Sequence, residues 1–202
     1  MMGKFSNFEE LNRYCREGID FQKRKNNLSS SVLILAPHGG GIEPGTSELA
    51  IAIAGNDLPF YLFEGIRKSA NQDLHIPSTR FNDPDCLELL RQCQTALVIH
   101  GCKGRESVVL VGGSEIGLRQ RMLEALSSNG FFAQIGTNRY AGIWQKNICN
   151  RTLSGKGVQI EITTGLRRKF FERLQNRQGR EIVSDRFRKF VSIIRDVIMA
   201  YA

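Results

Sequence analysis

Two histidines and two carboxylates carry the chemistry this sequence offers. His38 follows a short apolar run, Val32-Leu33-Ile34-Leu35-Ala36, and opens the segment Gly39-Gly40-Gly41-Ile42-Glu43. His100 ends a second run, Ala96-Leu97-Val98-Ile99, and Gly101 follows it. The chain has three histidines, and these two both terminate apolar strands beside glycine. Two imidazoles and one carboxylate, with a fourth position left for water, make a hydrolytic zinc site. Taken alone, His38 fits two plainer roles equally well. One is a polar group satisfied at a sheet edge; the other is part of a glycine-built amide nest for an anion. The matching contexts of His38, Glu43 and His100, with Glu161 on a later strand, favour the metal.

In that later strand Val158, Ile160 and Ile162 alternate with Gln159, Glu161 and Thr163. Glu161 therefore lies on the face opposite the apolar series. By itself it reads as a solvated carboxylate. Beside an activated water it gains a defined role, taking the proton as water attacks and returning it to the leaving amine.

Strand ends must be gathered at one edge to assemble such a site, and an alternating α/β chain does this. Ser6-Asn7-Phe8-Glu9 reads as a capping box opening a first helix. The polar stretch 23–27 reads as a loop. A helix is expected over 47–54, stopped by Gly55. Strands are expected over 58–63, 95–100, 108–111, 131–135 and 157–162. Asp83-Pro84 opens a helix through Cys93, and Ser114 caps another running to Ser128. A last helix over 184–201 places Phe187, Phe190, Val191, Ile194, Ile198 and Tyr201 on one stripe, which is core packing.

Composition narrows the class. With 202 residues and 41% hydrophobic content, the chain has enough apolar material for one enzyme-sized core. No stretch reaches the length of a membrane span, and the first residues lack a secretory signal's apolar core. The expected location is the cytoplasm. Five cysteines, an odd number without metal-type spacing, are read as reduced. A net charge of +8 implies attraction to polyanions. Much of the excess lies in 167–195, which reads mostly as a solvated helical face.

Several motifs together resemble one family. These are Pro37 to Glu48, Leu74-His75-Ile76-Pro77-Ser78-Thr79-Arg80-Phe81, Ile99-His100-Gly101-Cys102, Val111-Gly112-Gly113, Asn147-Ile148-Cys149-Asn150-Arg151 and Gly157 to Ile162. In order and type they resemble the phage-associated poly-γ-glutamate hydrolases, whose members are also called phage-related replication proteins. The resemblance spans about residues 32–168. It implies an α/β fold like that of the zinc carboxypeptidases: a single domain over 1–202 with a mixed parallel and antiparallel twisted sheet flanked by helices. It also implies one zinc ion held by His38, Glu43 and His100, Glu161 as the catalytic carboxylate, and cleavage of γ-glutamyl amide bonds in an acidic polymer.

Substrate carboxylates call for cations. Arg151, beside Asn150, is the first candidate for a substrate carboxylate or the oxyanion, because guanidinium offers a two-donor fork. The pair resembles an Asn-Arg pair of the zinc carboxypeptidases. Arg80 is the second candidate. His75 is expected in the substrate pocket, since a fourth protein ligand would close the site to water. The partner is then the anionic polymer, with no membrane and a monomer favoured. Two alternatives stay open. One is a basic nucleic-acid-binding replication accessory protein, disfavoured because no nucleic-acid-binding signature is present. The other is a zinc hydrolase of other peptides or N-acyl amino acids.

Overall fold

The computed structural model describes residues 3–26 and 28–201. Met1 and Met2 at the N-terminus, Asn27 of the expected 23–27 loop, and Ala202 lie outside the described residues. Seven strands form one sheet: β1 (Phe21–Lys25), β2 (Val32–Gly40), β3 (Phe60–Gly65), β4 (Thr95–Cys102), β5 (Val108–Gly113), β6 (Phe132–Ile135) and β7 (Val158–Thr163). Their spatial order is β1-β3-β2-β4-β7-β5-β6. The central strands β3, β2, β4 and β7 run parallel; β1 is antiparallel to β3, and β5 to β7. The mixed sheet expected above is therefore present.

The helices are α1 (Phe8–Tyr14), α2 (Thr46–Ala54), α3 (Pro84–Leu90), α4 (Ile116–Ser128), α5 (Thr164–Arg167) and α6 (Asp185–Met199). Alternation along the strands sorts residues to two faces. Val32, Ile34, Leu97, Ile99, Ile160 and Ile162 enter one core with α2, α4 and α6. Leu33, Leu35, Tyr61, Phe63, Ala96 and Val98 enter a second core with α1, α3 and the segments around 74–81 and 148–149. β2 is buried on both faces, which is why its sequence is a continuous apolar run. The α6 stripe is core as expected: Phe187, Phe190, Val191, Ile194 and Ile198 are all buried, and Tyr201 packs against them.

Several local features differ from expectation. The 23–27 stretch contributes to an edge strand, β1, whose Lys23, Arg24 and Lys25 pair with Phe63, Leu62 and Tyr61 of β3. Charged residues suit an edge strand, where they discourage pairing with another chain. The first capping box is displaced by one residue. Asn7 accepts from the Glu10 amide, and Glu10 accepts from the Ser6 amide. Asp83 caps α3 as expected, but α3 ends at Leu90. Ser114 does not cap α4; its hydroxyl donates to Asn150. The expected solvated face over 167–195 is broken by Arg167 and Arg180, both buried.

Candidate metal centre

A β-bulge aims His38. The pairing of β2 with β3 runs Ile34–Phe60, Leu35–Tyr61, Ala36–Leu62 and then resumes at Gly39–Glu64. β2 thus uses one residue more than β3. Simple alternation would place His38 with Val32, Ile34 and Ala36 on the helix-covered face. The bulge turns it to the opposite face, where its Nδ1 lies 3.2 Å from His100 Nδ1. Gly40 then reverses the chain with φ of +63°, a conformation open to glycine, and a Cβ there would come within 2.4 Å of the Gly65 carbonyl. The return brings Glu43 back, its amide donating to the His38 carbonyl.

The Glu43 carboxylate is the hub. One oxygen lies 3.3 Å from His38 Nδ1 and 3.5 Å from His75 Nε2; the other lies 3.5 Å from His100 Nδ1. That second oxygen also accepts from the Gly101 amide at 2.8 Å. His75 stacks on His38 with ring centroids 4.0 Å apart. All three histidines of the chain therefore face one carboxylate.

The outer nitrogens separate the three. His38 Nε2 meets the Ile76 carbonyl at 2.6 Å, and His100 Nε2 meets Ser78 Oγ at 3.1 Å. A single loop, anchored by buried Leu74, Ile76 and Phe81, fixes both rings from outside. Each ring then presents Nδ1 to Glu43. His75 has no such support: among the described residues its buried Nδ1 meets no partner. A metal-bound histidine characteristically has its second nitrogen hydrogen-bonded, which sets tautomer and orientation. His38 and His100 meet that condition and His75 does not.

Charge states agree with this arrangement. Burial, reinforced by neighbouring His75, drives the His38 pKa down to about 4, so the ring is neutral at pH 7. Burial also opposes charge on His100, but the Glu43 hydrogen bond and the Glu161 and Glu43 charges outweigh it and raise its pKa. Burial alone would raise the Glu43 carboxyl; the facing imidazoles reverse this and hold it well below the usual carboxylate range.

Glu161 stands opposite His100 in the β4–β7 register. Burial, with repulsion from Glu43, pushes its pKa up to about 7, against the attraction of His100, Arg167 and Arg139. A carboxylate poised near neutrality both accepts and donates a proton. Arg167 is a residue that sequence reading missed. Its guanidinium is buried and donates to the Ile162, Pro44 and Cys102 carbonyls. It lies against Gly101, where a Cβ would fall 2.6 Å from the Arg167 Cζ. Gly101 thus admits a cation on one side while its amide binds Glu43. The signal in the sequence was only Gly101 itself, and nothing in the Arg167-Arg168-Lys169 run marks the first residue as the buried one.

The expected substrate residues fall differently. Arg80 is exposed on the loop that holds the histidines. Arg151 is half-buried, one Nη donating to the Phe81 carbonyl on that same loop. Asn150 is fully committed within the protein. Its Nδ2 donates to the Gly142 and Trp144 carbonyls, and its Oδ1 accepts from Ser114 and the Gly157 amide. It ties loops together near the start of β7 and has no donor left for a ligand. His75 lies in the cluster, where His38, Glu43 and His75 donor atoms fall within 4.8 Å of one another.

The sequence pattern of the poly-gamma-glutamate hydrolases matches residues 5–193. The chain belongs to this family. Among its relatives in Bacillus subtilis (strain 168), the SPbeta prophage-derived UPF0714 protein YoqZ is 39% identical over 170 residues. That match covers 83% of this chain but 61% of YoqZ, so the chain spans under two thirds of that relative. The UPF0714 protein YmaC is 33% identical over 96% of this chain and 82% of its own length. A solved bacteriophage poly-gamma-glutamate hydrolase superposes with a TM-score of 0.95 at 32% identity, covering 99% of this chain and 98% of that one. A zinc-free apo form of YNDL gives 0.93 at 31% identity, covering 99% and 100%. Family members thus share this sheet and its helices across nearly the whole chain.

Whether a metal fits is decided by the donors themselves. Two imidazole nitrogens and a carboxylate converge within 3.2–3.5 Å of one another, and both rings are held through their outer nitrogens. That donor set suits a borderline-soft divalent ion such as zinc.

Proposed function

We propose that the protein is a zinc-dependent amidohydrolase that cleaves γ-glutamyl amide bonds of poly-γ-glutamate. One observation carries the reading: His38 and His100, each held by its Nε2, turn Nδ1 onto Glu43 while Glu161 occupies the register position beside His100. Family membership supports the substrate, and the zinc-free form of YNDL supports the metal. His38, Glu43 and His100 hold the ion. Among the described residues His38, Glu43 and His75 also form a group able to bind one, but the unsupported Nδ1 of His75 favours a place for this ring against the substrate instead.

Bound zinc lowers the pKa of water to about 7 and polarises the scissile carbonyl. The protein's own residues do the rest. Glu161 takes the proton from water as its oxygen bonds to the amide carbon. It gives that proton to the glutamyl nitrogen as the C–N bond breaks, which regenerates the carboxylate. Arg167 and Arg139 offset the negative charge around Glu161. Arg80 and Arg151 are the cations this reading assigns to substrate carboxylates; Asn150 acts on Arg151 through the backbone, by fixing its loop.

The metal assignment is tested by elemental analysis. His100→Ala should lose stoichiometric zinc, and His75→Ala should retain it while KM rises. Full zinc in His100→Ala would overturn the ligand set. The substrate assignment is tested by incubating zinc-loaded protein with γ-linked and α-linked polyglutamate and counting released amines. Shortening of the γ-polymer alone is expected. Cleavage only of small N-acyl amino acids would keep the mechanism and discard the polymer.

A further inference from the structure

A second feature lies at the same end of the sheet. Gly104, Arg105, Thr164, Gly165, Arg168 and Lys169 line a cleft of about 670 Å³. Arg105, Arg168 and Lys169 are exposed, and no acidic side chain lines the cleft among the described residues. Among those residues the three cationic side chains have no ion pair or hydrogen bond. Some arginines elsewhere are engaged, Arg67 by Asp20, Arg180 by Glu48 and Arg195 by Asp57, while others such as Arg80 and Arg91 stand singly on the surface; what sets these three cations apart is that they share one concavity. Three unpaired cations around one concavity focus positive potential there.

The cleft is coupled to the metal centre by covalent proximity. Thr164 comes three residues after Glu161, at the C-terminal end of β7, and Arg105 comes five after His100, just past β4. At a strand rise of about 3.3 Å per residue, the cleft begins roughly 10 Å from Glu161. A ligand confined to the metal centre is too short to span that distance, whereas an extended chain bearing repeated carboxylates is long enough.

We propose that this cleft is a distal subsite that binds the carboxylates of an anionic polymer whose scissile bond is held at the metal centre. The inference rests on the hydrolase reading above for the identity of that polymer. The two arginines supply planar forks for carboxylates, and Lys169 supplies a point charge. The subsite favours long substrates over short ones, and its contribution weakens with salt.

The test is equilibrium binding of fluorescently labelled γ-linked polyglutamate to the full chain, read by anisotropy at several salt concentrations. Arg105→Glu with Arg168→Glu should weaken binding about tenfold and flatten the salt dependence. Arg168→Lys should retain most of the affinity. Arg188→Glu with Lys189→Glu makes the same charge change on an exposed part of α6, and should weaken binding far less. Equal weakening by the two double variants, or none by the first, would overturn the subsite. So would tighter binding of a DNA strand of equal charge through Arg105 and Arg168, which would make the cleft a nucleic-acid site. Bond cleavage is measured separately. Polymer binding that depends on the cleft without γ-bond cleavage would refute the hydrolase reading and uphold the subsite; cleavage with binding indifferent to the cleft would do the reverse.

Discussion

The two faces of the sheet are built from the same strands and do different work. On β4, Leu97 and Ile99 point into the helix-covered core, while Ala96, Val98 and His100 point the other way. The helix face is apolar over most of its length, closed by α2, α4 and α6, with Glu64 near the end of β3 as a buried carboxylate hydrogen-bonded by Gln22. The other face is apolar along β2 and β4 only until their last residues, and on β7 it carries Gln159, Glu161 and Thr163. There Phe8, Phe21, Phe63 and Phe81 pack edge to face. Towards the strand ends it carries His38, His100 and Glu161, covered by loops. Helices satisfy their own backbone and bury apolar stripes. Loops bring carbonyls and hydroxyls, such as those of Ile76 and Ser78, to bear on buried polar rings. One face is therefore suited to stability and the strand ends of the other to chemistry.

The largest expected effect comes from breaking the chemistry and sparing the packing. Glu161→Gln keeps nearly the same shape but cannot accept a proton. Its turnover of the γ-polymer should fall by about 10² to 10⁴, with zinc content and melting temperature unchanged. Near-normal turnover in the folded, zinc-loaded variant would remove Glu161 from the proton-transfer role.

The converse variant lies on the helix face. Phe170 is fully buried among Phe131, Phe187 and Phe190. Phe170→Ala should cost about 3–5 kcal/mol of stability, measured by denaturant unfolding. Turnover per folded molecule should hold at low temperature. Loss of turnover without loss of stability would erase the division between faces.

The smallest effect sharpens the comparison within the loop-covered side. At its rim, Lys23 and Lys25 hydrogen-bond Asp85 and hold its pKa below the ordinary 3.8. A depressed carboxyl contributes stability that is present above its unfolded pKa and lost as pH falls through the folded one. Because Asp85 is a third exposed, the contribution is small, about 0–1 kcal/mol. Asp85→Asn should therefore lower stability slightly at pH 7, and the difference from the parent protein should vanish as pH drops below 3.8. A difference that grows on acidification would contradict the sign.

What could be read from the chain alone was what local pattern controls. Short β-branched runs that end beside glycine mark β2 and β4, since a strand buried on both faces must be apolar throughout. Alternation put Glu161 opposite Ile160 and Ile162. Helical spacing assigned the α6 stripe to the core, and the histidine at each of two strand ends, with Glu43 nearby, outlined the histidine–carboxylate cluster that the fold assembles. What tertiary structure decided were the matters of register and packing. The bulge after Ala36 reverses the face of His38, and only pairing with β3 reveals it. The loop from Leu74 to Phe81 brings His75 against Glu43 and lends its carbonyl and hydroxyl to the other two rings. Arg167 and Arg168 are neighbours of identical type, yet one is buried against Gly101 and the other lines an open cleft. Residue type and spacing set which chemistry is available; which side chains meet depends on contacts between segments far apart in the chain, and no local pattern encodes those.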